Sequence, residues 1–219
     1  MNLSRFITKQ LRTRNVNLQI RLISCWCCGK HINNVSNLFC SNCNALQSPD
    51  EKENYFKVMG VNETYDLDEN DLAKKYKDLQ KYLHPDKFAN KKMEEQEISE
   101  KYSSLVNEAY KTLLEPLARG IYMLRLRDKA IPENTEIDQE FLMKIMEKNE
   151  EVEKADTEEE IMRLNNENKA KIKDLQKKLS LAFLDGDLKQ VEKLLSHMKY
   201  YTSIDNQIQA AIRNKGIIR

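Results

Sequence analysis

A chain of 219 residues, 40% of them hydrophobic, is long enough for one or two packed domains and needs neither disulfides nor cofactors to build a core. Five Gly and four Pro beside 32% charged residues point to a mainly helical protein. The formal net charge of +1 gives no general case for nucleic-acid binding, and no apolar run approaches the length of a membrane span.

The charge is unevenly placed. The first acid is Asp50, while Arg5, Lys9, Arg12, Arg14 and Arg21 give the first 24 residues +5 and leave −4 for the rest. Leu3, Phe6, Ile7 and Leu11 fall on one face of a possible helix. An acid-free, Arg-rich, amphipathic start predicts a mitochondrial transit peptide over residues 1–24, and so the mitochondrial matrix. No secretory hydrophobic core is present, so disulfides are not the default for the cysteines.

Residues 25–47 carry Cys25, Cys28, Cys40 and Cys43, two C-x2-C pairs separated by eleven residues. Each pair can form a tight knuckle that points two thiolates at one ion. Two knuckles complete a closed tetrahedral site, which predicts one structural Zn²⁺ per chain. Gly29, Asn42 and Asn44 fit turns around the pairs. Few apolar residues lie in the segment, so metal would supply much of its folding energy. Cys27 sits inside the first pair and could replace Cys25 or Cys28 after a register change, and His31 is another conceivable ligand. A redox C-x2-C is the competing reading, but the βαβ context of such a motif is missing.

Ser48-Pro49-Asp50 reads as a linker. Tyr55, Phe56, Val58 and Met59, stopped by Gly60, predict a short helix. The acidic stretch Asp66 to Asp71 supplies N-caps for the next one. There Leu72, Tyr76, Leu79 and Leu83 recur at spacings of four, three and four, an amphipathic stripe. Lys74, Lys75, Lys77 and Lys81 fall largely off it as a solvated basic face. Pro85 fixes its own φ and pushes His84 out of the α region, so the helix ends near Leu83 in a rigid His84-Pro85-Asp86 corner. Lys87 to Lys92 reads as a polar loop. Tyr102, Leu105, Val106, Ala109, Tyr110, Leu113 and Leu114 then mark a long helix ended by Pro116. A basic helix alone is an ordinary solvated surface. The corner between two amphipathic helices resembles a J-domain, here over residues 53–117, the module that stimulates ATP hydrolysis by DnaK-type chaperones. That resemblance implies a chaperone contact through His84, Pro85 and Asp86 with the lysines beside them.

Beyond Pro116 the period changes. Leu117, Ile121, Tyr122 and Leu124 predict a connecting helix, and Ala130-Ile131-Pro132 a break. Phe141, Ile145 and Val152 form one stripe, with Leu142, Met143 and Met146 beside it. Thr157 and Glu160 make a capping box that opens a long helix. Its Ile161, Leu164, Asn168, Ile172, Leu175, Leu179 and Ala182 lie near heptad spacing. Asn168 either fixes register in that seam or faces water. Asp185-Gly186-Asp187 is a turn. Leu188, Val191, Leu194, Leu195, Met198, Ile204, Ile208 and Ala211 mark the last helix. The expected fold is all-α: a J-domain hairpin, then an antiparallel three-helix bundle over residues 118–213, preceded by the small cysteine segment.

The order of cysteine knuckles, J-domain and helical bundle, with the stretches CWCCG, FCSNCNALQ, YFKVMG, HPDKF, VNEAYKTLLEPLARG and FLMKIMEKNEE, resembles the mitochondrial iron–sulfur cluster co-chaperones of the HscB family. Cys27 is a departure from the family's pattern. The resemblance implies a co-chaperone that delivers an ISCU-type scaffold to a mitochondrial DnaK-type chaperone and triggers its ATPase. It implies a scaffold-binding face of Leu142, Met143, Met146, Glu147 and Glu150, aided by Tyr200. Methionine suits adaptable binding surfaces, but in helices it is more often core. No constellation for hydrolysis is present. His84 and Asp86 flank a proline on a turn and read as a docking edge, so the chain is expected to be an adaptor and no enzyme. The competing readings are a J-domain co-chaperone for another client, a zinc-ribbon nucleic-acid binder, and a thiol oxidoreductase using Cys25 and Cys28. Neither nucleic acid nor membrane is an expected partner.

Overall fold

Capping residues set most helix boundaries in this chain. The computed structural model describes residues 23–32, 38–131 and 138–216. The expected transit peptide lies outside the described residues, apart from Ile23 and Ser24. The chain divides into two units between Gln47 and Ser48.

In the first unit, β1 (Ile23–Ser24) pairs antiparallel with β2 (His31–Ile32), and Phe39 bridges Leu46. These short ladders hold the two cysteine turns described below. The fully buried Leu46 is also tied through its carbonyl, which accepts from the Trp26 indole N–H at 2.7 Å.

The second unit is helical. It begins with α1 (Tyr55–Met59), capped by Asn54 and closed by Gly60 at φ 64°. Then follow α2 (Glu69–Leu83), capped by Asp68, and α3 (Met93–Leu114). Between α2 and α3 a 3-10 turn spans Pro85–Phe88, so part of the expected polar loop is ordered and seats Phe88 in the core. Phe56, Met59, Leu72, Leu83, Val106, Ala109 and Leu113 fill the space among these helices. The helix α4 (Pro116–Arg125) packs on α3 and on the last helix of the chain.

The bundle comprises α5 (Gln139–Lys154), α6 (Glu158–Asp185) and α7 (Leu188–Asn214). Thr157 and Glu160 form the expected capping box, and Gly186, at φ 72°, ends α6 in the left-handed region that glycine enters without steric cost. The helices α6 and α7 pack along their length, and α5 lies on α7. Ile145, Val152, Ile161, Leu164, Ile204, Ile208 and Ile212 form one apolar cluster. Asn168 does not face water: it is buried, and its amide donates to the Tyr201 carbonyl at 3.1 Å. Gln209 donates to Asn165 Oδ1 at 3.1 Å one level away. Among the described residues no helix is long and apolar enough to cross a membrane.

The J-like helices and the bundle share a core. Tyr65 stacks on Phe183 with centroids 5.3 Å apart, and its hydroxyl reaches the Met198 sulfur at 3.9 Å. Arg127 pairs with Glu63 at 3.3 Å and lies over the Phe183 ring. The sequence reading missed this junction.

Candidate functional site

Three separate regions carry chemistry. The first is the cysteine cluster. The backbone repeats itself at the two knuckles. Gly29 N–H donates to the Cys25 carbonyl and Asn44 N–H to the Cys40 carbonyl, both at 2.9 Å. Gly29 (φ 73°) and Asn44 (φ 56°) hold equivalent left-handed positions, which glycine and asparagine tolerate best. Cys27 N–H points at the Cys25 sulfur and Asn42 N–H at the Cys40 sulfur, each at 3.4 Å. The sulfurs of Cys25, Cys28, Cys40 and Cys43 lie within 4.8 Å of one another. Cys25 and Cys43 are 3.6 Å apart and Cys28 and Cys40 3.8 Å. Sulfurs about 2.3 Å from a common tetrahedral metal stand about 3.8 Å apart, so the set fits one ion.

Burial raises the Cys25 thiol, but the backbone N–H groups of Cys28 and Cys27 and the thiols of Cys43 and Cys40 outweigh it and bring the group down to about 6. Gln47 adds an amide donor at 3.4 Å. These donors favour a thiolate at Cys25, the form a metal needs. At Cys43 the Ala45 N–H lowers the thiol, but burial and the neighbouring sulfurs of Cys28, Cys25 and Cys40 outweigh it and push the group up to about 12. Cys27 is exposed and outside the cluster, and His31 is also outside it, with Nδ1 3.3 Å from the Ser24 hydroxyl.

The second region is the corner after α2. His84 leaves the helix with φ −61° and ψ 129°, the extended conformation that the following proline demands. Its Nδ1 accepts from the Asp86 N–H at 3.3 Å and so caps the 3-10 turn. The His84 and Asp86 side chains are 54% and 89% exposed. Ser99, fully buried on α3, donates to the Leu83 carbonyl at 2.8 Å. That bond satisfies an acceptor at the broken helix end and pins the corner to α3. Lys74, Lys77 and Lys81 are exposed, with Lys81 paired to Asp78 at 2.8 Å. Lys75 departs from the expected solvated face: it is half-buried, donates to the Gly60 carbonyl and pairs with Asp71. Its position on α2 faces the α1–α2 connection, where a helix-end carbonyl needs a donor.

The third region is the outer face of α5. Ile145 and Val152 point inward. Met143 and Met146 are 58% and 63% exposed, Glu147 and Glu150 are exposed, and Leu142 is half-buried. The methionines are therefore surface, not core. Tyr200 on α7 meets the edge of Phe141 with centroids 5.8 Å apart, which brings it to the same end of α5 as Leu142. Phe141 stacks on His197 at 3.9 Å and 9°. The sequence reading missed Ser99 and His197; each acts through one contact distant in sequence, and a single polar residue on a helix gives no periodic signal.

Comparison with known proteins finds two family domains in the helical unit. Residues 54–122 match the DnaJ domain and residues 137–209 the HSCB C-terminal oligomerisation domain. The human iron–sulfur cluster co-chaperone protein HscB is 39% identical over 189 residues, covering 84% of this chain and 80% of the relative. The Arabidopsis thaliana HscB homolog is 33% identical over 178 residues, covering 81% and 69%. The crystal structure of human HscB superposes with a TM-score of 0.81 at 38% identity, covering 86% of this chain and 98% of that one. With its J-domain, its bundle and its cysteine knuckles in one order, the chain belongs to the HscB family of co-chaperones.

Proposed function

We propose that this chain delivers an ISCU-type iron–sulfur scaffold to a DnaK-type chaperone of the mitochondrial matrix and stimulates that chaperone's ATPase, itself catalysing no reaction. The observation that carries the reading is the rigid, exposed His84-Pro85-Asp86 corner held by Ser99, in the same folded unit as an exposed apolar face on α5. Its relatives are named for iron–sulfur cluster co-chaperone work.

On this reading the corner docks on the ATPase. His84 caps its own turn through Nδ1, which also lies 3.4 Å from the Asp86 carboxylate; that carboxylate is 89% exposed and open to a cation of the partner. Lys74, Lys77 and Lys81 add the long-range attraction that steers an acidic surface into place. Lys75 contributes through the α1–α2 connection it holds. Leu142, Met143 and Met146 bury themselves against the scaffold, and Glu147, Glu150 and Tyr200 form the rim. Shared packing through Tyr65 fixes the angle between the two contacts.

The cysteine set is proposed to hold structural Zn²⁺ through Cys25, Cys28, Cys40 and Cys43. The ion supplies a cross-link between two turns that have little apolar core of their own. Cys27, Asn42 and Gln47 orient the sulfurs through N–H donors.

The test is an ATPase titration of a mitochondrial DnaK-type chaperone with the full chain, with and without scaffold. The wild type should stimulate, and more so with scaffold present. His84→Gln and Asp86→Asn should keep the fold and lose stimulation. Full stimulation by either variant removes the J-domain assignment.

A further inference from the structure

Beside the corner, α2 and α3 line a groove of about 710 Å³. Its floor is a fixed polar network. Asn107 Oδ1 accepts from the Tyr76 hydroxyl at 2.9 Å and from the Gln80 amide at 2.8 Å. Gln80 Oε1 in turn accepts from the Ser103 hydroxyl at 3.2 Å. Tyr76 cannot swing away, because its ring stacks on Tyr110 at 4.2 Å and 15°.

An exposed asparagine usually turns its amide freely. Here the oxygen is held by two donors, so the NH2 group must face away from the network, and it can only donate. Asn107 is exposed and shares the groove with Lys77, Lys81, Lys87 and His84, with Asp86 at the rim. The groove thus offers one oriented donor and three lysines, of which Lys81 is already paired with Asp78, against the single carboxylate of Asp86 in its lining.

We infer that Asn107 is a partner-contacting residue that donates a hydrogen bond to a carboxylate on an acidic segment of the ATPase seated in this groove. The inference rests on the J-domain reading above. Excess cationic charge selects the acidic segment, and the oriented amide fixes where its carboxylate sits. The ordinary alternative is a polar staple that only holds α2 to α3.

Two substitutions in the full-length chain separate these. Asn107→Asp keeps an oxygen for Tyr76 and Gln80 and replaces the donor with a negative charge. Asn107→Ala removes both. Stimulation of the partner ATPase is titrated well below the lowest melting temperature of the set, with His84→Gln as control. Asn107→Asp should raise the half-maximal concentration roughly tenfold or more at an unchanged melting temperature, and Asn107→Ala by less. If Asn107→Asp titrates like the wild type while Asn107→Ala melts earlier, the residue is a staple and the inference is overturned. If His84→Gln abolishes stimulation and Asn107→Asp stays silent, the inference alone falls. If His84→Gln stimulates normally, it falls together with the J-domain reading.

Discussion

A Cβ atom placed on Gly120 would lie 2.5 Å from Cδ2 of Leu195 and 3.3 Å from the Tyr65 ring. Leu195 is fully buried, so its methyl can give way only by repacking its neighbours. Gly120 therefore marks where α4 touches α7 and the J-like helices join the bundle. The nearby buried Arg119 lies under the Tyr65 ring and donates to the Leu113 carbonyl at 2.6 Å, which closes the end of α3.

Gly120→Ala sets two effects against each other. Alanine in a helix gains up to about 1 kcal/mol over glycine. Overpacking a full core costs about 1–3 kcal/mol. The contact is close enough that the cost should win, and the urea midpoint should fall. Leu195→Ala vacates the space, so the double mutant should lose less than the sum of the singles. An additive cycle would place the strain elsewhere.

The metal prediction turns on which sulfurs converge. Cys27→Ser should retain one equivalent of zinc, since Cys27 lies outside the cluster. Cys40→Ser should lose the ion and unfold the cysteine segment. The helical unit should survive both changes, because its core contains none of these residues. Zinc content and circular dichroism on both variants check this. A full equivalent of zinc in Cys40→Ser would rule out the four-thiolate set.

Local features were legible from the sequence, and distant contacts were not. Pro85 acts on His84, its neighbour, so the end of α2 followed from two residues. The capping box at Thr157, the turn at Gly186 and the paired cysteine knuckles are equally local. The exposed methionines were undecided because Phe141, Ile145 and Val152 make an adequate stripe with or without them. Asn168 was likewise open, since its partner lies 33 residues away on α7. The Tyr65 junction had no signal at all: its bond to Met198 spans 133 residues, and an aromatic in a connecting segment shows no period.

His197 gives the bundle a pH dependence. Burial first, and then Lys193, lowers its pKa, while Asp138 acts weakly the other way. Burial against Phe141 favours the neutral ring. A folded value below the unfolded one, about 6.5, means the contribution is complete above that pH and is lost as the pH falls through it. Urea midpoints should fall as the pH drops below about 6.5 by more in the wild type than in His197→Phe, which stacks without titrating. Parallel profiles would remove His197 as the cause.

The exposed face of α5 gives the sharpest test of the scaffold reading. Leu142, Met143 and Met146 lie within two turns on one side of the helix, and two of them are mostly in solvent. Truncating all three to alanine should leave the urea midpoint close to that of the wild type, with the half-buried Leu142 the main source of any loss. Buried side chains would instead cost about 2–5 kcal/mol each and melt the bundle. Binding of an ISCU-type scaffold, measured on the same triple mutant, should weaken by several kcal/mol, as happens when central apolar anchors are removed; this magnitude is on the order of 2 kcal/mol or more per anchor. A large fall in the urea midpoint would make the patch structural despite its exposure. A stable mutant that holds the scaffold at full strength would leave a J-domain co-chaperone whose client binds elsewhere.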